Sequence, residues 1–509
     1  MTALSLGSVL PGSAAGRGDK RALIAGDTAL TYAELEDRAG RVAGALHAAG
    51  VGKGDRVALV LGNVPEFVEA LHGAWRIGAV AAPLNVMLTP EEAGYVLADA
   101  EVSAVVVDPA FLTTVLAVRD RVASLEHVLV TGPGPAPPGT SSYEEAVATA
   151  VEPARADVSS GDLALLAYTA GTTARPKGAM LTHGNLLANL DQMARVPALA
   201  EAETDVVLLA LPLFHIYALN VVLGITIREG ATAVLVERFD PVATLELVER
   251  HHVTVLFGAP PMFAAWLQAA DQRRFDLSSV RLAVSGAAPL PGEVLEAFRE
   301  RMGITIWEGY GLTETAPAVT TNALGDVAKP DSIGLVLPGV EVRLVDEQGD
   351  EVEEGDPGEI VVRGPNVFKG YWNREDESDA AFRDGWLRTG DVAYRDEDGY
   401  LFIVDRTKDL IIVSGFNVFP KEVEDAIARH PKVAEVAVIG VPDERTGEAV
   451  KALIVAAPGE TLTEDEVLEH CRGTLARFKW PRTIELVESL PKHVTGKVLR
   501  RALREEPHT

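Results

Sequence analysis

The chain has 509 residues, 47% of them hydrophobic and 24% charged, which excludes the disordered and fibrous classes and is too long for one simple core. Its formal charge of −28, from 46 basic and 74 acidic side chains, argues against nucleic acid as a partner, because a polyanion is repelled by such a field. The only cysteine, Cys471, excludes an internal disulfide and a zinc framework, and the N-terminal run lacks the basic start of a secretory signal, so a cytoplasmic protein is expected.

Along the first two thirds an apolar strand, a turn and an amphipathic helix recur. A strand over 56–61 leads to a helix over 65–78, and a strand over 104–107 to a helix starting at Pro109. This rhythm predicts layered α/β architecture with mainly parallel sheet. A linker rich in Pro and Gly covers 131–142, and an apolar run over 163–168 follows. The longest uncharged apolar run, 216–227, is too short to cross a bilayer, which leaves room only for transient membrane contact. From about Ser332 short alternating strands are expected over 340–345, 349–355 and 359–363, forming a small antiparallel sheet or barrel that ends near residue 404. The charged stretch Asp405-Arg406-Thr407-Lys408-Asp409 marks the expected boundary. Beyond it, a helix over 420–429, strands over 433–440 and 450–455 and a helix over 464–475 predict a compact α+β domain. The expected division is thus 1–404 and 405–509.

The chemistry is concentrated in a few segments. After Tyr168 comes Thr169-Ala170-Gly171-Thr172-Thr173-Ala174-Arg175-Pro176-Lys177-Gly178, a loop that offers backbone N–H groups, threonine hydroxyls and a lysine to phosphate oxygens. It is not the G-x-x-x-x-G-K-[ST] loop, and composition alone is equally compatible with a polar turn after a strand. Further segments follow in order: Pro212-Leu213-Phe214-His215, Ser285-Gly286-Ala287-Ala288-Pro289, Tyr310-Gly311-Leu312-Thr313-Glu314, Thr389-Gly390-Asp391, Asp405 to Asp409, Ser414-Gly415-Phe416-Asn417-Val418-Phe419-Pro420, and Leu490-Pro491-Lys492 to Gly496-Lys497.

In identity, order and spacing these segments resemble the adenylate-forming superfamily of acyl-CoA synthetases, luciferases and adenylation domains, and most of all the bacterial fatty acyl-CoA synthetases. The resemblance implies a large N-terminal domain of layered α/β sheets with a small β-barrel-like subdomain, and a small mobile C-terminal domain that turns on Asp405. ATP, Mg²⁺ and CoA are the implied reagents. Thr169, Ala170, Gly171, Thr172, Thr173 and Lys177 would cradle phosphates; Gly286, Ala287, Ala288, Glu308, Gly309, Tyr310 and Gly311 would hold adenine. Thr313 matches an α-phosphate contact, Glu314 the metal ligand, Asp391 the ribose acceptor and Arg406 a phosphate or ribose contact. Lys497 matches the catalytic ammonium, which would stabilise charge as a carboxylate attacks the α-phosphate. Lys408, Gly415, Phe416 and Asn417 match the CoA path.

His215, Ile216, Tyr217, Gly258 and Pro260 would line the acyl pocket, with His215 counted among the catalytic residues. The segments around them lack Lys or Arg to pair a second carboxylate, so an apolar monocarboxylic acid is expected, first a medium- or long-chain fatty acid and alternatively an aryl, coumarate-type acid. Ala170 and Ala174 stand where the family usually has Ser and Gly, which predicts a weaker or stiffer grip on ATP. A stand-alone adenylation enzyme loading a carrier protein and a non-catalytic nucleotide sensor are the rival readings, and homodimerisation is left open. The basic residues Arg472, Arg477, Lys479, Arg482, Lys492, Lys497, Arg500, Arg501 and Arg504 read equally as a solvated helix end or a phosphate-facing surface.

Overall fold

The computed structural model describes residues 5–169, 176–406, 411–413, 416–443, 446–475, 477–492, 498 and 502–503. It divides into two compact units, Met1–Glu341 with Val362–Leu387, and Val342–Val361 with Arg388–Thr509.

The first unit is built on two large sheets. In one, the strands Ile306–Gly311, Leu282–Ser285, Val255–Gly258, Val206–Leu209, Thr232–Leu235 and Arg21–Ala25 lie side by side and parallel, with short antiparallel strands at both edges, nine in all. The other has seven strands in the order Ser141–Ser142, His127–Val130, Val102–Val107, Arg56–Val60, Val80–Pro83, Leu163–Thr169 and Lys177–Thr182, antiparallel only at the last pair. Near-continuous apolar strands are what a parallel sheet covered on both faces requires, and Val105, Val106, Leu208, Leu256 and Ile306 are fully buried. The expected α/β class is therefore the observed one.

Local chemistry sets the helix boundaries. Capping boxes start the helices Tyr32–Ala48 (Thr31 with Glu34), Pro90–Asp99 (Thr89 with Glu92) and His183–Ala194 (Thr182 with Asn185). Proline opens Pro65–Arg76, Pro241–His251 and Pro260–Gln272, where its missing N–H costs nothing. Two expectations need correction. The helix after Val102–Val107 starts at Leu112 rather than at Pro109, because Asp108 Oδ1 accepts the Ala110 N–H and holds a turn there. No strand spans 349–355: Asp346 Oδ1 accepts from Gly349 and Asp350, Gly349 sits at φ +90°, and only an isolated bridge joins Val345 and Glu351.

In the second unit, Trp386–Arg395 pairs antiparallel with Leu401–Arg406. A further sheet runs in the order Phe416–Val418, Ile411–Val413, Gly447–Ala456 and Val433–Asp443, and Thr483–Leu486 pairs parallel with residues 451–454 of Gly447–Ala456. The helices Pro420–Ala428 and Glu464–Thr474 cover it over a core of Val423, Ile427, Val438, Val450 and Val467. Among the described residues, no helix is long and apolar enough to cross a membrane.

Candidate active site

Three neighbouring parallel strands end in register, with Gly258 beside Ser285 and Ser285 beside Glu308. The carboxyl ends of parallel strands are where α/β sheets bind ligands. One rim therefore gathers residues far apart in sequence: Gly258 and Pro260, Gly286 to Ala288, Glu308 to Gly311, and, beyond Val206–Leu209, the turn that carries His215. Asn63, 5% exposed, fixes that turn by donating to the Leu209 and Leu211 carbonyls at 3.2 and 2.9 Å and accepting from the Leu213 N–H at 2.9 Å.

Close approach explains the small residues. A Cβ on Gly286 would come within 3.1 Å of the Tyr217 ring, and one on Gly311 would run into the Pro317 carbonyl. Ala287 is held at φ +72°, a backbone state that costs a non-glycine residue about 1 kcal/mol or more and is often found at ligand clamps. Glu308 is buried, and its Oε1 accepts the Leu290 N–H at 3.1 Å, so this carboxylate braces the loop after Ala288. Ser285 Oγ is buried with no hydrogen-bond partner among the described residues.

After His215 the apolar run winds as a π-helix over Tyr217–Gly224, a rare form often found at functional sites. His215 Nδ1 accepts the Tyr217 N–H at 3.4 Å. The Tyr217 hydroxyl donates to the Val284 carbonyl at 3.2 Å, and its ring meets Phe257 edge-on, centroids 6.1 Å apart. Burial pushes the Tyr217 phenol well above the usual range.

Thr313 and Glu314 lie on a single 3₁₀ turn, Thr313–Thr315, which four side-chain amides secure from behind. Asn366 donates to the Thr315 carbonyl at 2.8 Å, Asn220 to the Ala316 carbonyl at 2.7 Å and Asn189 to the Ala318 carbonyl at 2.9 Å; Gln192 donates to Asn366 Oδ1 at 3.1 Å. Asn189, Asn220 and Asn366 are at most 1% exposed. Sequence reading missed this cluster. Its one visible signal was Asn220, an amide inside an otherwise apolar run.

The expected phosphate segment is the end of a hairpin. Thr169 pairs with Lys177 across Leu163–Thr169 and Lys177–Thr182, while Ala170, Gly171, Thr172 and Thr173 lie outside the described residues. Lys177 pairs with the Glu377 carboxylate, and its ammonium stands 5.2 Å over the Tyr371 ring. The Tyr371 hydroxyl donates to Glu314 Oε1 at 2.7 Å. Tyr371 and Glu377 were also missed; the segment around Phe368, Tyr371 and Trp372, rich in aromatics, carried the signal. Mg²⁺ takes one or two carboxylates and completes its shell with phosphate and water oxygens, so Glu314 on a fixed turn fits that ion. No cluster of three His, Cys, Asp or Glu that could hold a metal ion occurs among the described residues.

In the second unit Asp391 lies on the strand Trp386–Arg395, opposite Arg406, and is 3% exposed. Glu359 aligns the turn before it by accepting the Gly390 N–H at 3.1 Å and binding Arg388 at 2.6 Å. Asp405, Arg406, Phe416 and Asn417 lie on strands where only the backbone is described; Lys408, Gly415 and Lys497 lie outside the described residues. Four of the basic residues are paired within the unit: Arg472 with Glu469, Lys479 with Glu422, Arg482 with Asp443 and Lys492 with Glu435.

Chemically, the first unit offers a rim of glycines and small residues suited to a flat base, an apolar wall ending in His215, and a carboxylate and an ammonium joined through one tyrosine. Comparison with known proteins identifies the family. Residues 10–372 match the AMP-binding enzyme family and residues 422–497 the AMP-binding enzyme C-terminal domain. A feruloyl-CoA synthase of an Amycolatopsis species is 42% identical over 480 residues, 94% of each chain. A long-chain-fatty-acid–CoA ligase of Yersinia pestis is 40% identical, covering 96% of this chain and 92% of its own. The ATP-bound crystal structure of MatB from Rhodopseudomonas palustris superposes with a TM-score of 0.91 at 38% identity, over 99% of this chain and 98% of its own. The chain belongs to the AMP-binding enzymes and, within them, to the AMP-forming acyl-CoA synthetases.

Proposed function

We propose that the acid activated is an apolar monocarboxylate with an aromatic body, of the hydroxycinnamate kind. The observation that carries this reading is the aromatic wall: the Tyr217 ring, braced edge-on by Phe257 and anchored to Val284, packs against Gly286 and gives the rim a flat, aromatic side. Similarity to feruloyl-CoA synthases supports it. A medium- or long-chain fatty acid is the second reading, favoured by the uncharged run 216–227 and by similarity to long-chain-fatty-acid ligases. No Lys or Arg occurs within 215–227 or 258–266, so a second carboxylate on the substrate would go unpaired in either case.

In the first half-reaction a carboxylate oxygen attacks the α-phosphorus of ATP and pyrophosphate leaves. In the second, the CoA sulfur attacks the acyl carbon and AMP leaves. Within this scheme Lys177 and the threonines Thr169, Thr172 and Thr173 bind polyphosphate, Thr313 touches the α-phosphate, and Glu314 holds Mg²⁺, which neutralises phosphate charge when bound. Gly286 to Ala288 and Glu308 to Gly311 receive adenine, Asp391 the ribose and Arg406 the ribose or phosphate. Lys497 supplies the ammonium for the first step only, and the domain beginning at the hinge Asp405 then brings Lys408, Gly415, Phe416 and Asn417 to CoA. The test is a CoA-dependent thioester assay across hydroxycinnamates, benzoates, fatty acids of increasing length and dicarboxylates. Hydroxycinnamates should exceed every fatty acid in kcat/KM by about ten-fold or more, with dicarboxylates inert. A fatty acid at the top of the series would replace the aryl reading; thioester formed only on a carrier protein would replace CoA as acceptor.

A further inference from the structure

Two charged groups of the proposed ATP site converge on Tyr371. Its hydroxyl donates to Glu314 Oε1 at 2.7 Å, and the Lys177 ammonium stands 5.2 Å over its ring. Backbone bonds on both sides keep the residue there. Lys369 donates to the Met180 carbonyl, Met180 to the Gly370 carbonyl and Trp372 to the Gly178 carbonyl, so residues 369–372 are laced onto the strand Lys177–Thr182. The Tyr371 N–H donates to Ser378 Oγ at 2.8 Å, and Phe368 packs edge-on against the ring at 4.9 Å. Phe368 also donates to the Glu314 carbonyl at 2.8 Å, so one segment holds both the main chain and the carboxylate of Glu314. A carboxylate only accepts, so in this contact the Tyr371 hydroxyl is the donor.

A carboxylate with one oxygen held by a rigid donor has the direction of its other oxygen set before a cation arrives, as outer-shell partners do for metal ligands in general. An aromatic face seats an ammonium without neutralising it, and here the Glu377 carboxylate that also pairs with Lys177 is the anion polyphosphate would displace. We propose that Tyr371 is a positioning residue for adenylate formation: its hydroxyl orients the Glu314 carboxylate for a divalent cation, while its ring seats the Lys177 ammonium for polyphosphate. The inference rests on the reading of Glu314 as the metal carboxylate and Lys177 as the phosphate lysine.

The test compares Tyr371→Phe, Tyr371→Leu, Glu314→Gln and Lys177→Ala in the full chain. The readouts are ATP binding without acid as Mg²⁺ is titrated, and acid-dependent pyrophosphate exchange. Tyr371→Phe keeps the ring and its packing, so its melting temperature should match the parent, yet the Mg²⁺ concentration for half-maximal ATP binding should rise about ten-fold. Its exchange kcat should fall, while KM for ATP at saturating Mg²⁺ stays within about two-fold, since the ring beneath Lys177 remains. Tyr371→Leu should in addition weaken ATP binding in the absence of Mg²⁺. A parental Mg²⁺ requirement in Tyr371→Phe, with a raised one in Glu314→Gln, overturns the proposal alone. Unchanged behaviour of Glu314→Gln and Lys177→Ala overturns the reading beneath it. If Tyr371→Leu fails to fold, Tyr371→Phe still decides.

Discussion

At the carboxyl ends of the nine-stranded sheet, the candidate site is made of backbone and small residues; beside the hairpin Leu163–Thr169 and Lys177–Thr182 it is made of charged side chains that hold one another. At the rim, sheet register fixes where Gly258, Gly286 and Glu308 stand, and the surrounding packing leaves no slack. At the hairpin, Lys177, Glu314, Tyr371 and Glu377 are held by an ion pair, a hydrogen bond and a ring contact, each of which one substitution can remove. The difference teaches that the two regions should fail differently. Damage at the rim should be steep and steric, and damage at the hairpin graded and electrostatic.

The steepest break is Gly311→Ala. The added Cβ would run into the Pro317 carbonyl, and Leu312 and Thr315 anchor the turn that carries Thr313 and Glu314 to that same stretch. A displacement of about 1 Å at a reacting group costs on the order of 100-fold in rate, and acid-dependent pyrophosphate exchange should fall by that much. Exchange within a few-fold of the parent would mean that the rim is softer than its packing implies.

Much of the rim was readable in the sequence because its parts are contiguous motifs at strand ends, where the switch from an apolar run to Gly and small residues is itself the signal. The strand–turn–helix rhythm likewise anticipated the helix Pro65–Arg76, whose proline opens it, and the strand Arg56–Val60 before it. The hairpin's partners were not readable. Tyr371 and Glu377 meet Glu314 and Lys177 only after the chain has passed through two sheets, and nothing in their neighbours' identities encodes that meeting. Asn189, Asn220, Gln192 and Asn366 are four isolated amides in sequence; they form a set only because each reaches the backbone of residues 315–318 or its neighbour in the cluster. Asp391 could be matched to a ribose acceptor from its motif, but not its burial on a strand, which follows because Glu359 and Thr389 satisfy the turn before it.

Acid separates the regions by a second route. His72 lies under the rim helix, in a small apolar cavity with Leu219, Leu223 and Gly224, and its Nδ1 has no partner among the described residues. Burial, with a smaller push from Arg76, lowers the imidazole to about 3. The unfolded chain takes up this proton below about pH 6.5 and the folded chain does not, so the stability present above that pH is lost progressively as the pH falls toward 3. At pH 5 the loss is roughly 2 kcal/mol from this residue. His72→Leu removes the proton site at similar bulk, and urea unfolding at pH 7 and pH 5 should show the variant losing about 2 kcal/mol less than the parent between them. Equal losses would mean that water or a partner reaches His72, and that the packing under the rim is looser than its burial suggests.

The gentlest break concerns Glu377. Lys177 is 15% exposed at the side chain and Glu377 35%, so their ion pair is partly screened and is worth at most about 1 kcal/mol. In the proposed reaction polyphosphate needs the same ammonium, and two anions compete for it. Glu377→Gln removes one competitor, so KM for ATP should fall by about two- to five-fold, with the melting temperature nearly unchanged. A rise in KM would carry the opposite lesson. Glu377 would then be orienting Lys177 toward the nucleotide rather than occupying it, and the hairpin would be a preset site like the rim, built from charges instead of from backbone.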